Sequence, residues 1–262
     1  MSFPPEAPIT VESRRWAVET LCAAGCPDAQ QDAELLAFDA GSRHDLRAAV
    51  LRRAAREPLG YVRGRTTFRG LDIAVDRRVF IPRAETELLV EAALALPHGA
   101  RVLEPCTGSG AVAVALKNER PDLEVTASDR SPDALAVARS NANRLGVRIA
   151  LFEADGIAAV PGGPWDAVIA NPPYVAKADA GTGSLPVEIE DHEPPEAFWA
   201  GDDGLSVLRR LVRELDGVGR VSFEIGDGQE DSVREMLRAA GFTAIAALRV
   251  ASGHARVMSA AR

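Results

Sequence analysis

Apolar positions recur along this chain with two different periods. Between Thr10 and Glu57 the spacing is helical: Trp16, Val18, Leu21 and Cys22 form one run, Ala33, Leu35, Leu36 and Phe38 a second, and Leu46, Val50 and Leu51 a third. Thr10, followed by Glu12 and Ser13, and Asp28 stand where a side-chain oxygen caps the free amides of a helix start. Residues 1–59 are therefore expected to form a small helical domain for substrate docking or packing. From Tyr61 to Phe80 the pattern alternates through Thr67, Phe68, Leu71, Ile73, Val75 and Val79, with Gly64 and Gly70 as punctuation. That predicts a β-hairpin over residues 60–82 linking two domains.

Beyond residue 83 short apolar runs alternate with helical ones. Glu85 or Thr86 opens a helix through Leu94. Strands are predicted at Arg101–Glu104, Glu124–Ser128, Arg148–Phe152, Trp165–Ile169 and Val221–Gly226. Helices are predicted at Ala111–Lys117, from Ser131-Pro132-Asp133 to Gly146, at Leu205–Leu215 and at Gln229–Ala240. Phe242–Val250 and Ala255–Ser259 read as a hairpin turning at Ser252-Gly253. Such alternation predicts an α/β domain over residues 83–262, with a mostly parallel sheet and one antiparallel strand at its end. Val175 to Asp202 carries no periodic run, and its length fits a lid or substrate loop.

Composition excludes several classes. With 47% hydrophobic and 26% charged residues the chain is an ordinary globular protein. No apolar run approaches the ~18–20 residues of a membrane span. Met1–Glu6 shows neither the basic nor the apolar part of a signal peptide. Cys22, Cys26 and Cys106 make no paired spacing, which argues against a disulfide framework or a metal site and for a reducing, cytoplasmic setting. A net charge of −8 disfavours direct nucleic-acid binding. The charge is uneven, however: from Arg43 to Arg83 eleven arginines meet four carboxylates, a local +7 that could face an acidic or RNA-containing partner.

Candidate chemistry collects at predicted strand ends. Pro105-Cys106-Thr107-Gly108-Ser109-Gly110 lies between a strand and a helix, where glycines admit a ligand close to the backbone and the helix start offers free N–H groups. Asp129 ends the next strand, placed to accept from both hydroxyls of a ribose. The first glycine of the dinucleotide fingerprint is replaced by Cys106, which favours a nucleoside ligand such as S-adenosylmethionine over NAD. Asp155-Gly156 ends a third strand; either it meets an adenine amino group or it is a plain Asp-Gly turn. Asn171-Pro172-Pro173-Tyr174 follows a fourth. Two prolines remove two N–H donors, leaving the Asn171 and Pro172 carbonyls free, and the Asn171 amide both donates and accepts. Together with the Tyr174 ring this suits a planar –NH2 group, whereas a bare proline-rich turn is the plainer alternative.

Five segments then fall into a known order: Phe80-Ile81-Pro82-Arg83-x-Glu85-Thr86-Glu87, Glu104-x-Cys106-Thr107-Gly108-Ser109-Gly110, Asn171-Pro172-Pro173-Tyr174, Glu193-Pro194 with Gly201-x-x-Gly204-Leu205, and Glu224-Ile225-Gly226-x-x-Gln229. From about Asp32 onward the chain resembles the protein-(glutamine-N5) methyltransferases that modify the Gly-Gly-Gln glutamine of peptide-chain release factors. The resemblance implies a class I methyltransferase, Rossmann-like fold, a helical N-terminal domain, S-adenosylmethionine as donor and a release factor as substrate; a monomer is expected, and the chemistry calls for no metal. It implies donor contacts at Cys106 to Gly110 and Asp129, with Asn171 between donor and glutamine and Pro172, Pro173 and Tyr174 shaping the amide pocket. Ala84, Glu104 and Cys106 depart from the family's usual proline, aspartate and glycine; relatives acting on a ribosomal protein share the Cys-Thr-Gly-Ser-Gly form. Glutamine methylation of a ribosomal protein, amino methylation of adenine or guanine, and a non-catalytic scaffold are the rival expectations.

Overall fold

The computed structural model describes residues 7–262; Met1–Glu6, the stretch without a signal-peptide pattern, lies outside the described residues. The chain divides into two compact units. One runs to Arg65 and adds Leu185–His192; the other holds Thr66–Ser184 and Glu193–Arg262.

In the first unit the helices are α1 (Val11–Ala23), α2 (Ala29–Asp39), α3 (Arg43–Ala54) and α4 (Leu59–Arg63), with the later α8 (Val187–Glu190). Thr10 and Ser13 cap α1 reciprocally, each side chain accepting from the other's amide. The core holds Ala17, Leu21, Leu36, Leu46 and Val50. Three residues of the sequence pattern are exposed instead: Cys22, Phe38 at 81% and Leu51 at 49%. The interior stripe of α2 is Ala29, Ala33, Leu36 and Ala37, and Phe38 lies one step beyond it. Helix also continues past the expected end at residue 59, because Pro58 starts α4 instead of stopping α3.

The hairpin is shorter than its alternation predicts: β1 (Arg65–Phe68) and β2 (Leu71–Ala74) flank Arg69-Gly70, both with positive φ, the two-residue turn whose twist suits paired strands.

The second unit carries α5 (Glu87–Leu94), α6 (Ala111–Glu119), α7 (Pro132–Arg144), α9 (Ser206–Arg213) and α10 (Glu230–Ala239). Its seven strands are β3 (Arg101–Pro105), β4 (Glu124–Asp129), β5 (Ala150–Glu153), β6 (Ala167–Ala170), β7 (Arg220–Glu224), β8 (Ala244–Arg249) and β9 (Ala255–Ala261). They lie in the order β5-β4-β3-β6-β7-β9-β8. Only β9 runs against the rest, and it sits between β7 and β8 rather than at the edge. Burial explains the exchange: β9 has mostly buried residues, whereas β8 alternates with exposed ones and tolerates the rim.

Strand order changes direction between β3 and β6, so the loops after β3, β4 and β6 share the carboxyl edge of the sheet at its switch point. The expected loop from Val175 to Asp202 is tied at its base, Val175 and Ala200 exchanging backbone bonds across to Phe198 and back at 2.8 Å. Within it Leu185–His192 joins the first unit, where Glu188 bonds Arg53 at 2.9 Å and Arg56 at 2.8 Å.

That pairing also changes the picture of the basic stretch. Arg53 is buried between Asp32 and Glu188, Arg52 holds Glu57, and Arg63 and Arg65 share Asp39. In the second unit Arg69 bonds Glu91 and Glu119, and Arg83 bonds Glu193. Most of the local +7 is neutralised inside each unit, which removes the main ground for a docking belt.

Candidate active site at the carboxyl edge of the sheet

The glycine loop is held by its own buried groups. Cys106 adopts φ 59°, the left-handed backbone a glycine there would supply, and burial pushes its thiol up to about 12. Thr107 donates to Glu104 at 2.8 Å. Gly108 has φ 54°, and beyond its chain neighbours no atom lies within 4 Å of where a side chain would begin, so open space faces it. Gly110 answers a different need from the one its motif implies. Its own amide bonds the Thr107 carbonyl, and a methyl group there would press on Ala138 of α7 at 3.0 Å, so this glycine serves close helix packing. Asn141, fully buried on α7, donates to the Ser109 carbonyl at 2.9 Å and to the Ala74 carbonyl at 3.0 Å. Asn141 has no mark in the sequence, since an asparagine on a helix ordinarily faces solvent.

Asp129 stands at the end of β4. One carboxylate oxygen accepts from the Gly108 amide and the other from the Ser131 amide, each at 2.9 Å. Burial raises its pKa against those two bonds. Each oxygen keeps a lone pair, so the group remains able to take two hydroxyls.

Asp155 and Gly156 are engaged elsewhere. Asp155 is exposed and paired with Arg210 at 2.6 Å. Gly156 leaves room for the Glu214 carboxylate, which would lie 2.6 Å from a side-chain carbon there and which accepts from the Ile157 and Ala158 amides. The turn-forming alternative describes this pair better than an adenine contact does.

Asn171 follows β6 directly, and Pro172 behind it is buried. Among the described residues no backbone amide donates to the carbonyl of either. The Asn171 Nδ2 donates to Thr86 Oγ1 at 3.3 Å, and Tyr174 donates its hydroxyl to Glu224 at 3.1 Å. Burial raises the Tyr174 pKa, helped by the Glu224 charge. Glu224 is 1% exposed, and burial lifts it to about 7. Thr86 and Glu224 were legible in the sequence only as parts of motifs; the geometry places them together behind Asn171 and Tyr174.

Two further segments brace this corner. Gln229 donates to the Tyr174 carbonyl at 2.9 Å and accepts from the Gly226 amide at 2.8 Å. Gly204 lies so near that a methyl group would collide with the Tyr174 carbonyl, and one at Gly226 would meet the Tyr174 ring at 3.2 Å. Glu193 is buried with its carboxylate on the Ile81 amide at 2.9 Å and on Arg83, whose guanidinium covers the Phe80 ring at 4.5 Å. The five motif segments thus meet around the ends of β3, β6 and β7.

One carboxylate here predicts a pH effect on stability. Glu104, 2% exposed, accepts from Thr107 and from the Ala113 amide, yet burial carries it up to about 8 from the ordinary 4.5. The folded state then holds a proton that the unfolded chain has released. Its stabilising contribution is complete below about pH 4.5 and is lost as pH rises through about 8. Denaturant titrations from about pH 6 to about pH 9 should show the parent protein losing stability relative to Glu104→Gln, by up to ~1.4 kcal/mol per pH unit of the interval. Parallel curves for the two proteins would mean that Glu104 stays ionised.

Comparison with known proteins identifies the family of the chain. The Methyltransferase small domain family matches residues 83–185. A release factor glutamine methyltransferase of Cereibacter sphaeroides is 38% identical over 275 aligned positions, covering 95% of this chain and 97% of the relative. That of Geobacter sulfurreducens is 40% identical over 201 residues, 75% of this chain and 70% of the relative. Among solved structures, a ribosomal protein L11 methylase from Lactobacillus delbrueckii subsp. bulgaricus aligns at a TM-score of 0.52 with 21% identity, over 72% of this chain and 84% of that one. At that identity the likeness concerns the fold, a class I methyltransferase sheet.

Proposed function

The chain belongs to the release factor glutamine methyltransferases, and from that premise we propose that it methylates the side-chain amide of the Gly-Gly-Gln glutamine in a peptide-chain release factor, using S-adenosylmethionine in the cytoplasm. The observation that carries the chemistry is the corner after β6, where the Asn171 and Pro172 carbonyls face no backbone donor and the Asn171 amide is held from behind. No helix among the described residues is long and apolar enough to cross a membrane.

The residues present fit the donor. Asp129 retains acceptor capacity for a ribose, and the open side of Gly108 lets the loop amides approach. When bound, the donor supplies an electrophilic methyl carbon on a sulfonium sulfur. Everything else falls to the protein. An amide nitrogen is a poor nucleophile because its lone pair is delocalised into the carbonyl. Asn171 Oδ1 and the Pro172 carbonyl would accept its two N–H bonds, which turns the lone pair toward the donor's methyl carbon. Tyr174 walls the pocket. Positioning of this kind replaces the entropy of a bimolecular encounter. No strong base is needed, because the nitrogen sheds its proton readily once alkylated.

The test is direct. A release factor incubated with the enzyme and donor should gain one methyl group per chain by mass spectrometry, placed on the Gly-Gly-Gln glutamine by peptide fragmentation. A release factor left unmodified while a ribosomal protein or RNA gains the label would overturn the substrate.

A further inference from the structure

We propose that Glu224 and Thr86 are positioning residues that fix which end of the Asn171 amide faces the substrate. The inference rests on the reading of Asn171 as the ligand of the substrate –NH2. An asparagine presents its carbonyl and its NH2 on nearly identical shapes, so its hydrogen-bond partners alone decide which points where. Here Nδ2 donates to Thr86 Oγ1 at 3.3 Å, which leaves Oδ1 on the far side. A hydroxyl, however, both donates and accepts. Thr86 receives the Asn171 hydrogen only while its own hydrogen points elsewhere, and Thr86 is buried at 3% exposure.

The acceptor beside it is Glu224. This carboxyl is buried; Oε1 takes the Tyr174 hydroxyl at 3.1 Å, and Oε2 has no partner within hydrogen-bonding geometry. An unsatisfied buried carboxylate oxygen is costly unless a donor turns to it. Burial disfavours the Glu224 anion, and the neighbouring Thr86 hydroxyl acts in the opposite sense, which makes it the donor available to the unpartnered oxygen. The donation then runs one way: Asn171 N–H to Thr86, Thr86 O–H to Glu224. Oδ1 stays free to accept from the substrate amide.

A proton on Glu224 reverses the chain. The acid O–H then donates to Thr86, the Thr86 hydrogen turns to Asn171, and the amide is satisfied with Oδ1 inward and NH2 outward. A donor then faces the substrate's own N–H groups. The charged and titratable groups facing Glu224 are Tyr174 after β6, Glu85 before α5, which favours the acid, and Arg256 on β9, which favours the anion. Burial places the balance at about 7.

Rates and spectra together test the relay. The parent kcat should rise with pH through about 7 and then level. Glu224→Gln should remove that inflection and lower kcat about tenfold or more, with the donor KM unchanged. Thr86→Val should lose a similar factor, and Thr86→Ser, which restores the hydroxyl, should recover most of it. The Asn171 side-chain NH2 resonances, identified by their loss in Asn171→Ala, should titrate with the same midpoint in the parent and stay flat in Glu224→Gln. Resonances that do not move through that range, or a Thr86→Val variant with the parent kcat, overturn the proposal. If those resonances titrate as described while no release factor is methylated, the relay stands and the functional reading fails.

Discussion

Asn171→Ala turns over release factor ~10²–10³-fold more slowly than the parent protein, while binding S-adenosylhomocysteine as tightly. The size of the effect follows from what the side chain does. The substrate nitrogen has little intrinsic nucleophilicity, so rate depends on holding its two N–H bonds in one orientation. On the proposed reading, removing one of two acceptors would leave an N–H partly unpaired beside Pro172 and Tyr174, and the lone pair would lose its aim. Thr86 would also lose the donor it now holds at 3.3 Å. Asn171→Asp separates orientation from acceptor strength. It keeps shape and an acceptor, removes the Nδ2–H that Thr86 holds, and adds charge near the sulfonium. Donor affinity maintained or raised with turnover collapsed is the expected pair. Single-turnover rates with a purified release factor and calorimetry with S-adenosylhomocysteine measure both; Asn171→Ala transferring methyl at the parent rate would reduce Asn171 to a turn residue.

The strands that carry this site were legible because they are buried on both faces. Val102-Leu103 and Val168-Ile169 read as short continuous apolar runs, and parallel strands covered by helices have that pattern. Asp129 and Asn171 could be placed at strand ends for the same reason. What escaped were residues whose role depends on partners far along the chain. Gly110 and Gly156 look like ligand-facing glycines in one dimension, yet each makes room for a protein group, Ala138 and Glu214. Phe38 fits an apolar count but not the Ala-rich stripe beside it. The arginines from Arg43 to Arg83 form a charged run only until Asp32, Asp39, Glu119, Glu188 and Glu193 are brought to them. Buried Asn141 and Glu224 carry no sequence mark of burial at all, because polar residues are inside only when their partners are.

Asp129→Ala weakens binding of S-adenosylhomocysteine about 10- to 100-fold, the range of one or two hydrogen bonds to a charged acceptor. Two losses combine in that number. The ribose would lose its acceptor at the end of β4, and the Gly108 and Ser131 amides, each now 2.9 Å from the carboxylate, would lose theirs. The second loss loosens the loop itself, so Asp129→Asn is the informative companion. It keeps one oxygen for one amide and turns an NH2 toward the other, which preserves loop shape better than alanine while withdrawing the charge. pH supplies a third handle. Burial raises the Asp129 pKa, so donor affinity should fall as the medium is acidified through that raised value, and the fall should vanish in Asp129→Asn. Gly108→Ala then locates the ligand. Its backbone sits at φ 54°, so a methyl group costs about 1–2 kcal/mol of folding stability whatever surrounds it. Beyond the adjacent residues no protein atom lies within 4 Å of that methyl, so a further loss of donor affinity points to the donor itself. Unchanged affinity in Asp129→Ala and Gly108→Ala, measured by calorimetry on folded protein, would move the donor away from the ends of β3 and β4.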